Sequence, residues 1–190
     1  GSDSDSYTAF EVEDMDAEAY DGGDSSQSVS IESVAIQSEN YTYVYIYDSV
    51  ALANGDNSSA SLNVDIGSVD ITSQYGLDFG INDNDALAGD DSSDSDNLAT
   101  IDISVGTLTV STGEDDADHN NNDNDALIYG FDANRNDATV NIAIESVDQS
   151  SDWYANLYIQ NNDAVVEYND IWGYQDDNTA NVNVTIGTVS

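Results

Sequence analysis

The chain contains no cysteine and no proline, and Arg135 is its single lysine or arginine. Without cysteine, no disulfide braces the fold. Without proline, every backbone N–H remains available to a continuous strand ladder. One base is too few to bind a phosphate backbone, which excludes nucleic acid as a partner. No apolar run approaches transmembrane length, so membrane insertion is not expected.

Acidic residues are what the chain has in excess. It carries 39 Asp and Glu residues in 190, with a formal net charge of −38. Eight of them are Glu and 31 are Asp. Such a charge opposes compaction through self-repulsion, so salt or divalent cations are expected to offset it. Asp forms turns and is a hard oxygen ligand for Ca²⁺, and both properties place it in loops between strands.

One strand pattern recurs five times along the chain. The offsets between successive copies are 35, 39, 39 and 42 residues, a period that is typical of stacked repeats. The pattern predicts an all-β fold, a β-solenoid with repeats of about 39 residues, in roughly four coils plus an extra strand. A β-sandwich is the alternative. The copies cover residues 29–34, 64–69, 103–108, 142–147 and 184–189.

The spacing of apolar residues changes within each copy. Apolar residues alternate up to Ile66 and then skip three positions to Val69, which reverses the face that they occupy. A corner or a bulge is therefore expected at the Gly or Glu that follows Ile66 and its equivalents. A second element, Asn-Asp-Ala, recurs at 84–86, 124–126 and 162–164, where it predicts a polar turn followed by a return strand.

The composition divides the chain into a leader and a repeat domain. Residues 1–27 are acidic and Ser-rich, and they are expected to be either loose or an arm ordered by an adjacent subunit. The repeat domain over 28–190 ends in an unfinished copy, whose open edge is the predicted contact with the next molecule. Its predicted repeats are 28–60, 61–99, 100–138, 139–180 and the partial 181–190.

Two acidic connections supply candidate Ca²⁺ ligands, since Ca²⁺ takes six to eight oxygens and Asp pairs at i and i+2 can face one ion. The alternative is a solvated acidic surface. No EF-hand pattern is present. The candidate ligands are Asp83, Asp85, Asp90, Asp91, Asp94, Asp96, Asp118, Asp123 and Asp125.

Candidate interface residues lie on two strands. If Val44 and Ile46 face the core, the tyrosines between them form an outward aromatic face suited to a contact between subunits or between coils, with a glycan platform as the alternative. The last strand supplies a second apolar set. The candidates are Tyr41, Tyr43, Tyr45, Tyr47, Val182, Val184 and Ile186.

Three segments of the form Asn-x-Ala-x-Val/Ile resemble the first half of the curlin repeat of extracellular fibre subunits. They begin at Asn97, Asn136 and Asn178. The resemblance implies a β-solenoid whose subunits stack end to end into surface fibres. The next patterned position holds Ile or Val here, where curlin repeats have Gln.

These observations lead to one functional expectation and one alternative. The chain is expected to be a secreted structural subunit that assembles with itself into an extracellular filament or matrix fibre through strand contacts. The alternative is a Ca²⁺-dependent adhesin that binds glycans or other surface proteins. An enzyme is not predicted, because the lone His119 has no nucleophile pattern beside it and carboxylate pairs occur by chance among so many acids.

Overall fold

The computed structural model describes residues 7–55, 57–89, 96–113, 117–130, 136–152, 154–168 and 179–190. This part of the chain forms fifteen strands and no helix. The strands fall into three parallel sheets of five. The chain passes through sheets A, B and C in that order five times, which makes it a β-solenoid. The predicted fold class is confirmed.

Each sheet takes one strand from each of the five coils. Sheet A contains β1 (Tyr7–Glu13), β4 (Tyr41–Tyr47), β7 (Leu77–Asn82), β10 (Ala117–Asn122) and β13 (Ala155–Gln160). Sheet B contains β2 (Asp16–Ala19), β5 (Val50–Ala53), β8 (Asp85–Gly89), β11 (Asp125–Gly130) and β14 (Ala164–Tyr168). Sheet C contains β3 (Asp24–Ser38), β6 (Ser59–Ser73), β9 (Leu98–Thr112), β12 (Asp137–Ser151) and β15 (Thr179–Val189). Coil 1 is β1–β3 and coil 5 is β13–β15.

The core is a set of apolar rows that run through successive coils. Because the strands are parallel and in register, each inward side chain lies beside its equivalent in the next coil, as Val64 lies beside Ile103 and Ile103 beside Ile142. Inward side chains of all three sheets join one buried cluster, to which Phe79 of sheet A and Ile128 of sheet B contribute. The burial of these rows is the main source of stability.

The change of face inside the sheet C strands is a bulge-like interruption. The ladder pairs Ile66 with Val105 and then Ser68 with Thr107, and it omits Gly67 and Gly106 between them. The same position is omitted in every pair of neighbouring sheet C strands. The register resumes unchanged after the omitted pair, so the interruption lies at the residue that the sequence predicted.

The glycines at this interruption accommodate the close approach of the neighbouring coil. A Cβ added to Gly106 would overlap the carbonyl oxygen of Gly67, and one added to Gly187 would overlap that of Glu145. Glu145 occupies the same row, so the row also accepts a side chain.

Two expectations about the chain's organisation are corrected. From Tyr7 onward, the predicted leader forms strands β1 and β2 and begins β3, all paired with coil 2, because backbone pairing orders a polar segment that has few apolar residues. The predicted partial repeat 181–190 belongs to a coil that already contains β13 and β14. The Asn-Asp-Ala turn is followed by a strand, as predicted, and that strand lies in sheet B and pairs in parallel with its neighbours.

Replacing Gly106 with Ala tests the interruption. The added methyl must displace the Gly67 carbonyl, and overpacking of this kind costs about 1–3 kcal/mol. The free energy of unfolding in urea should fall by about 2 kcal/mol. In the control Gly113→Ala, the new Cβ has 3.3 Å to its nearest neighbour, the Gln74 carbonyl oxygen, so the loss should be smaller. Equal losses in both variants would contradict the assignment.

Candidate functional site

The corners between sheets A and B each contain an Asp or Asn residue in a left-handed backbone conformation. Each coil has one Asp or Asn there with φ between 52° and 54°. Asp and Asn tolerate this conformation better than other side chains except Gly. The prediction that Asp serves as a turn former is confirmed at these corners. The five residues are Asp14, Asp48, Asp83, Asp123 and Asn161.

In coils 3, 4 and 5, the residue that follows the left-handed one is an Asn. The three Asn side chains point inward and form a ladder of amide hydrogen bonds. The Asn84 side-chain amide donates to Asn124 Oδ1 at 2.8 Å, and the Asn124 amide donates to Asn162 Oδ1 at 2.8 Å. Backbone N–H groups join the same ladder, since Ser49 N–H donates to Asn84 Oδ1 at 3.3 Å. The Asn124 amide also donates to the Ile81 carbonyl at 3.0 Å. Each corner is therefore hydrogen-bonded to the corners of the neighbouring coils through side chains as well as through the backbone.

A second ladder lies at the corner between sheets B and C. Both the N–H and the hydroxyl of Ser58 donate to Asn97 Oδ1 at 3.0 Å. The Asn97 N–H donates to Asn136 Oδ1 at 2.9 Å. Asn97 and Asn136 begin two of the segments that resemble the curlin repeat, and Asn178, which begins the third, lies outside the described residues. The resemblance itself stays a prediction.

Sequence reasoning identified the Asn-Asp-Ala element as a turn but missed its ladder. The signal was present, because Asn recurs at one register position in three successive coils, and a side chain that can donate and accept at once pairs well with its own copy. Asn84 and Asn124 are fully buried. An Asn in a solvated turn would not need to recur in register.

Outside the amide ladder, carboxylates stack on carboxylates. Asp85 and Asp125 are register partners in β8 and β11, and Asp163 follows them in coil 5. The Asp163 N–H donates to Asp125 Oδ1 at 3.0 Å. Burial and the Asp125 charge raise the pKa of Asp85 to about 6, against a hydrogen bond from the Asp125 N–H. Burial likewise raises the pKa of Asp125, and burial together with Asp123 raises that of Asp83.

The structure brings together four of the predicted Ca²⁺ ligands, namely Asp83, Asp85, Asp123 and Asp125, along one edge. Asp118 lies on the outer face of sheet A, where the Asn156 amide donates to it at 2.8 Å, and Asp96 lies apart near the start of β9. The expected ligands Asp90, Asp91 and Asp94 lie outside the described residues. Within the described ranges, no group of three or more His, Cys, Asp or Glu side chains is arranged to hold a metal. A Ca²⁺ site stays a prediction.

The four tyrosines of β4 face outward, as predicted, and the residues between them are buried. Neighbouring rings along the strand have centroids 4.8–6.2 Å apart. The Tyr47 hydroxyl donates to the Glu13 carboxylate of coil 1, and this bond, then burial, raises the pKa of Tyr47 to about 12.

Two of these rings lie over the next coil. Cβ atoms added to Gly76 and Gly80 would overlap the rings of Tyr41 and Tyr45, so the missing side chains make room for the rings. The Tyr41 hydroxyl donates to the Asp78 carboxylate at 3.1 Å. Burial, followed by the Asp78 charge, raises the pKa of both phenols. The tyrosine face thus makes contacts between coils, and a contact with another molecule stays a prediction.

Exposed apolar surface is concentrated at the two ends of the stack. The predicted interface residues Val182, Val184 and Ile186 are 45%, 48% and 38% exposed, although they continue rows that are buried in the inner coils. In the described ranges, Tyr75 and Leu98 are the exposed large apolar side chains that do not lie in or beside coils 1 and 5. The others are Tyr7, Phe10, Tyr20, Tyr154, Tyr158, Val182, Val184, Ile186 and Val189.

Comparisons with protein-family models, with curated proteins and with solved structures gave no match. No helix long and apolar enough to cross a membrane occurs in the described part of the chain.

Replacing Asn124 with Leu tests the amide ladder. The change removes buried bonds to Asn84 and Asn162 and leaves the Ile81 carbonyl without its side-chain donor. Because an unsatisfied buried polar group costs about 1–3 kcal/mol, urea unfolding should show a loss of about 3 kcal/mol.

The matched control is Asn141→Ala, which removes an amide from the exposed ladder on the outer face of sheet C. A loss of at most about 1 kcal/mol is expected there, since water replaces the lost bonds. A small loss in Asn124→Leu would show that the buried ladder does not stabilise the corner.

The acidic row predicts that stability increases on mild acidification. A folded pKa near 6 against 3.8 for the ordinary carboxyl means that the folded chain binds the Asp85 proton more tightly than the unfolded chain. The contribution of this group to stability therefore increases as pH falls from above 6 and is complete below about 3.8. The melting temperature of the parent should rise between pH 7.5 and pH 5.

Asp85→Asn should raise the melting temperature at pH 7.5 and reduce the gain on acidification, because the amide is neutral at both pH values. Asp65→Asn removes the same charge from the exposed face of sheet C and controls for net charge. An unchanged pH dependence in Asp85→Asn would contradict the role assigned to the stacked carboxylates.

Proposed function

We propose that the chain is a structural subunit that assembles with itself into an extracellular filament or matrix fibre. The observation that supports this most strongly is the exposure of apolar side chains on the end coils. Contiguous exposed apolar side chains mark interaction surfaces in soluble proteins. The extracellular setting is part of the proposal and rests on the resemblance to the curlin repeat.

The edge strands give further support. Within the described residues, β15 pairs with β12 alone, and its eleven residues include no charge. Natural edge strands are usually short, charged or interrupted, because an open edge pairs with other chains. A long neutral edge suits a protein in which such pairing is the function.

The net charge of −38 opposes association and sets the conditions for assembly. Screening shortens the range of repulsion to about 3 Å at 1 M salt. Assembly is therefore proposed to be favoured by salt or by divalent cations, which would also reduce the repulsion within the acidic rows.

Replacing Val184 with Asp tests the proposal. Sedimentation velocity and electron microscopy in high salt with Ca²⁺ should show polymers for the parent. The variant should remain monomeric or need a concentration raised ~100-fold or more, because a buried unpaired charge costs about 3–5 kcal/mol. Val184 is 48% exposed, so the monomer fold should survive, as circular dichroism can check.

The control is Asn183→Asp, which adds the same charge to the outer face of β15 and should leave assembly nearly intact. A parent chain that stays monomeric at high concentration under these conditions would refute the proposed function.

A further inference from the structure

In the described part of the chain, one face of coil 5 is not covered by another coil, whereas the equivalent face of each inner coil is covered by the coil that follows it. Val184 occupies the register row of Val64, Ile103 and Ile142. Those three side chains are 0–2% exposed, whereas Val184 is 48% exposed. What covers the row elsewhere is the next parallel strand, so the shape and hydrogen bonding of this face fit a strand of the same kind.

Coil 1 carries the matching strands at the other end of the stack. The register that joins β3 to β6 and continues to β15 places the inward residues of β3 and β15 in common rows. A translational repeat of this kind is complementary to itself, since the N–H and C=O groups that one end leaves open are those that the other end requires. The shared rows are Val29 with Val184, Ile31 with Ile186, and Val34 with Val189.

We infer that the coil 5 face binds the coil 1 face of a second copy, in the register that already joins the coils within the chain. Strand β15 then pairs in parallel with β3 of the next copy, β14 with β2, and β13 with β1. This inference rests on the proposed function and specifies the joint through which it operates. A heterologous joint of this type does not close, so it produces a filament.

Charge favours this joint over one between two like ends. The strands of coil 1 carry six carboxylates, whereas those of coil 5 carry only Glu167. Two coil 1 faces would bring both sets of strand carboxylates together, whereas coil 5 against coil 1 sets strands with one carboxylate against strands with six.

Two rows reproduce contacts of kinds that the chain already contains. Glu32 of the next copy would follow Gly187, as Glu145 follows Gly106 within the chain. Thr8 of the next copy would meet Ala155, which places Tyr7 near Tyr154, the residue before β13; the two rings are 65% and 64% exposed. Tyr7 already makes an aromatic contact on its other side, with a centroid 5.6 Å from that of Tyr43.

The interruption at Gly187 argues against pairing of two coil 5 faces. A two-fold joint would run the two β15 strands antiparallel. Centred on Val184, it would set inward-facing Val189 opposite outward-facing Thr179, because the change of face near one end of the strand has no counterpart at the other end. Only a parallel partner repeats the change of face at the same place.

Cysteine cross-linking tests the joint, and the absence of native cysteine makes each introduced thiol unique. Ser30 and Thr185 face outward in one register row, so the joint would set their Cα atoms about 4.8 Å apart, within the range for a disulfide. Full-length Ser30→Cys and Thr185→Cys chains, mixed under assembly conditions and oxidised, should give linked pairs. Ser26→Cys with Thr185→Cys is the control, displaced by four residues, or about 13 Å.

The same samples are sedimented, which separates the two levels of the proposal. The joint is supported if polymers form and disulfide links appear in the Ser30–Thr185 mixture. The Ser26 mixture and each variant alone should then show no links. Polymers with links in Thr185→Cys alone, or with equal links in both mixtures, overturn the joint and leave the proposed function standing. Absence of polymers in the parent overturns both.

A capping experiment supplies a readout independent of thiol chemistry. Val184→Asp keeps coil 1 intact, so it should add to the coil 5 end of a parent filament and then present a charged end. A small fraction of this variant should therefore shorten parent filaments in electron micrographs. Filaments of unchanged length would contradict the joint. They would show that the intact coil 1 face of the variant does not bind the coil 5 end of a filament.

Discussion

The structure depends on one constraint: each residue stacks directly on its equivalent in the neighbouring coil, at the spacing of parallel strands. Stacking in register multiplies the character of every position, whether favourable or not. An inward Val or Ile becomes an apolar row, and an inward Asn becomes a ladder in which each amide both donates and accepts. An Asp at an inward position of every coil would become a buried column of like charges.

The distribution of acids follows from this constraint. At the A–B corner, the left-handed position and the position two residues later hold Asp, while the inward position between them holds the neutral amide of Asn84 or Asn124. Amide and carboxylate have nearly the same shape, but only the amide supplies the donor that the next coil needs. The carboxylates that do stack, Asp85 and Asp125, lie half-buried and receive backbone N–H bonds that reduce part of the repulsion.

Much of the fold could be predicted because the relevant physics is local and periodic. The recurring sheet C pattern indicated a solenoid, and the skip from Ile66 to Val69 indicated the interruption. The strands of coil 1 could not be predicted so readily, because β2 is only four residues long and its order comes from pairing with β5 rather than from its own apolar content. The amide ladders were missed for a related reason. A polar residue before a strand is typical of a solvated turn, and its burial depends on the neighbouring coil.

The two ends of the stack are subject to the same constraint. The geometry of a translational repeat sets no limit on its length, because each coil offers the next one the same kind of surface as the surface on which it docks itself. The inner coils differ in sequence, with Val44 and Phe79 in one row, yet they share one register. A face that accepts this variation within the chain has no physical basis for rejecting coil 1 of another copy, except charge. Six of the seven carboxylates on the strands of the two end coils lie on coil 1, and screening by the solution weakens their repulsion.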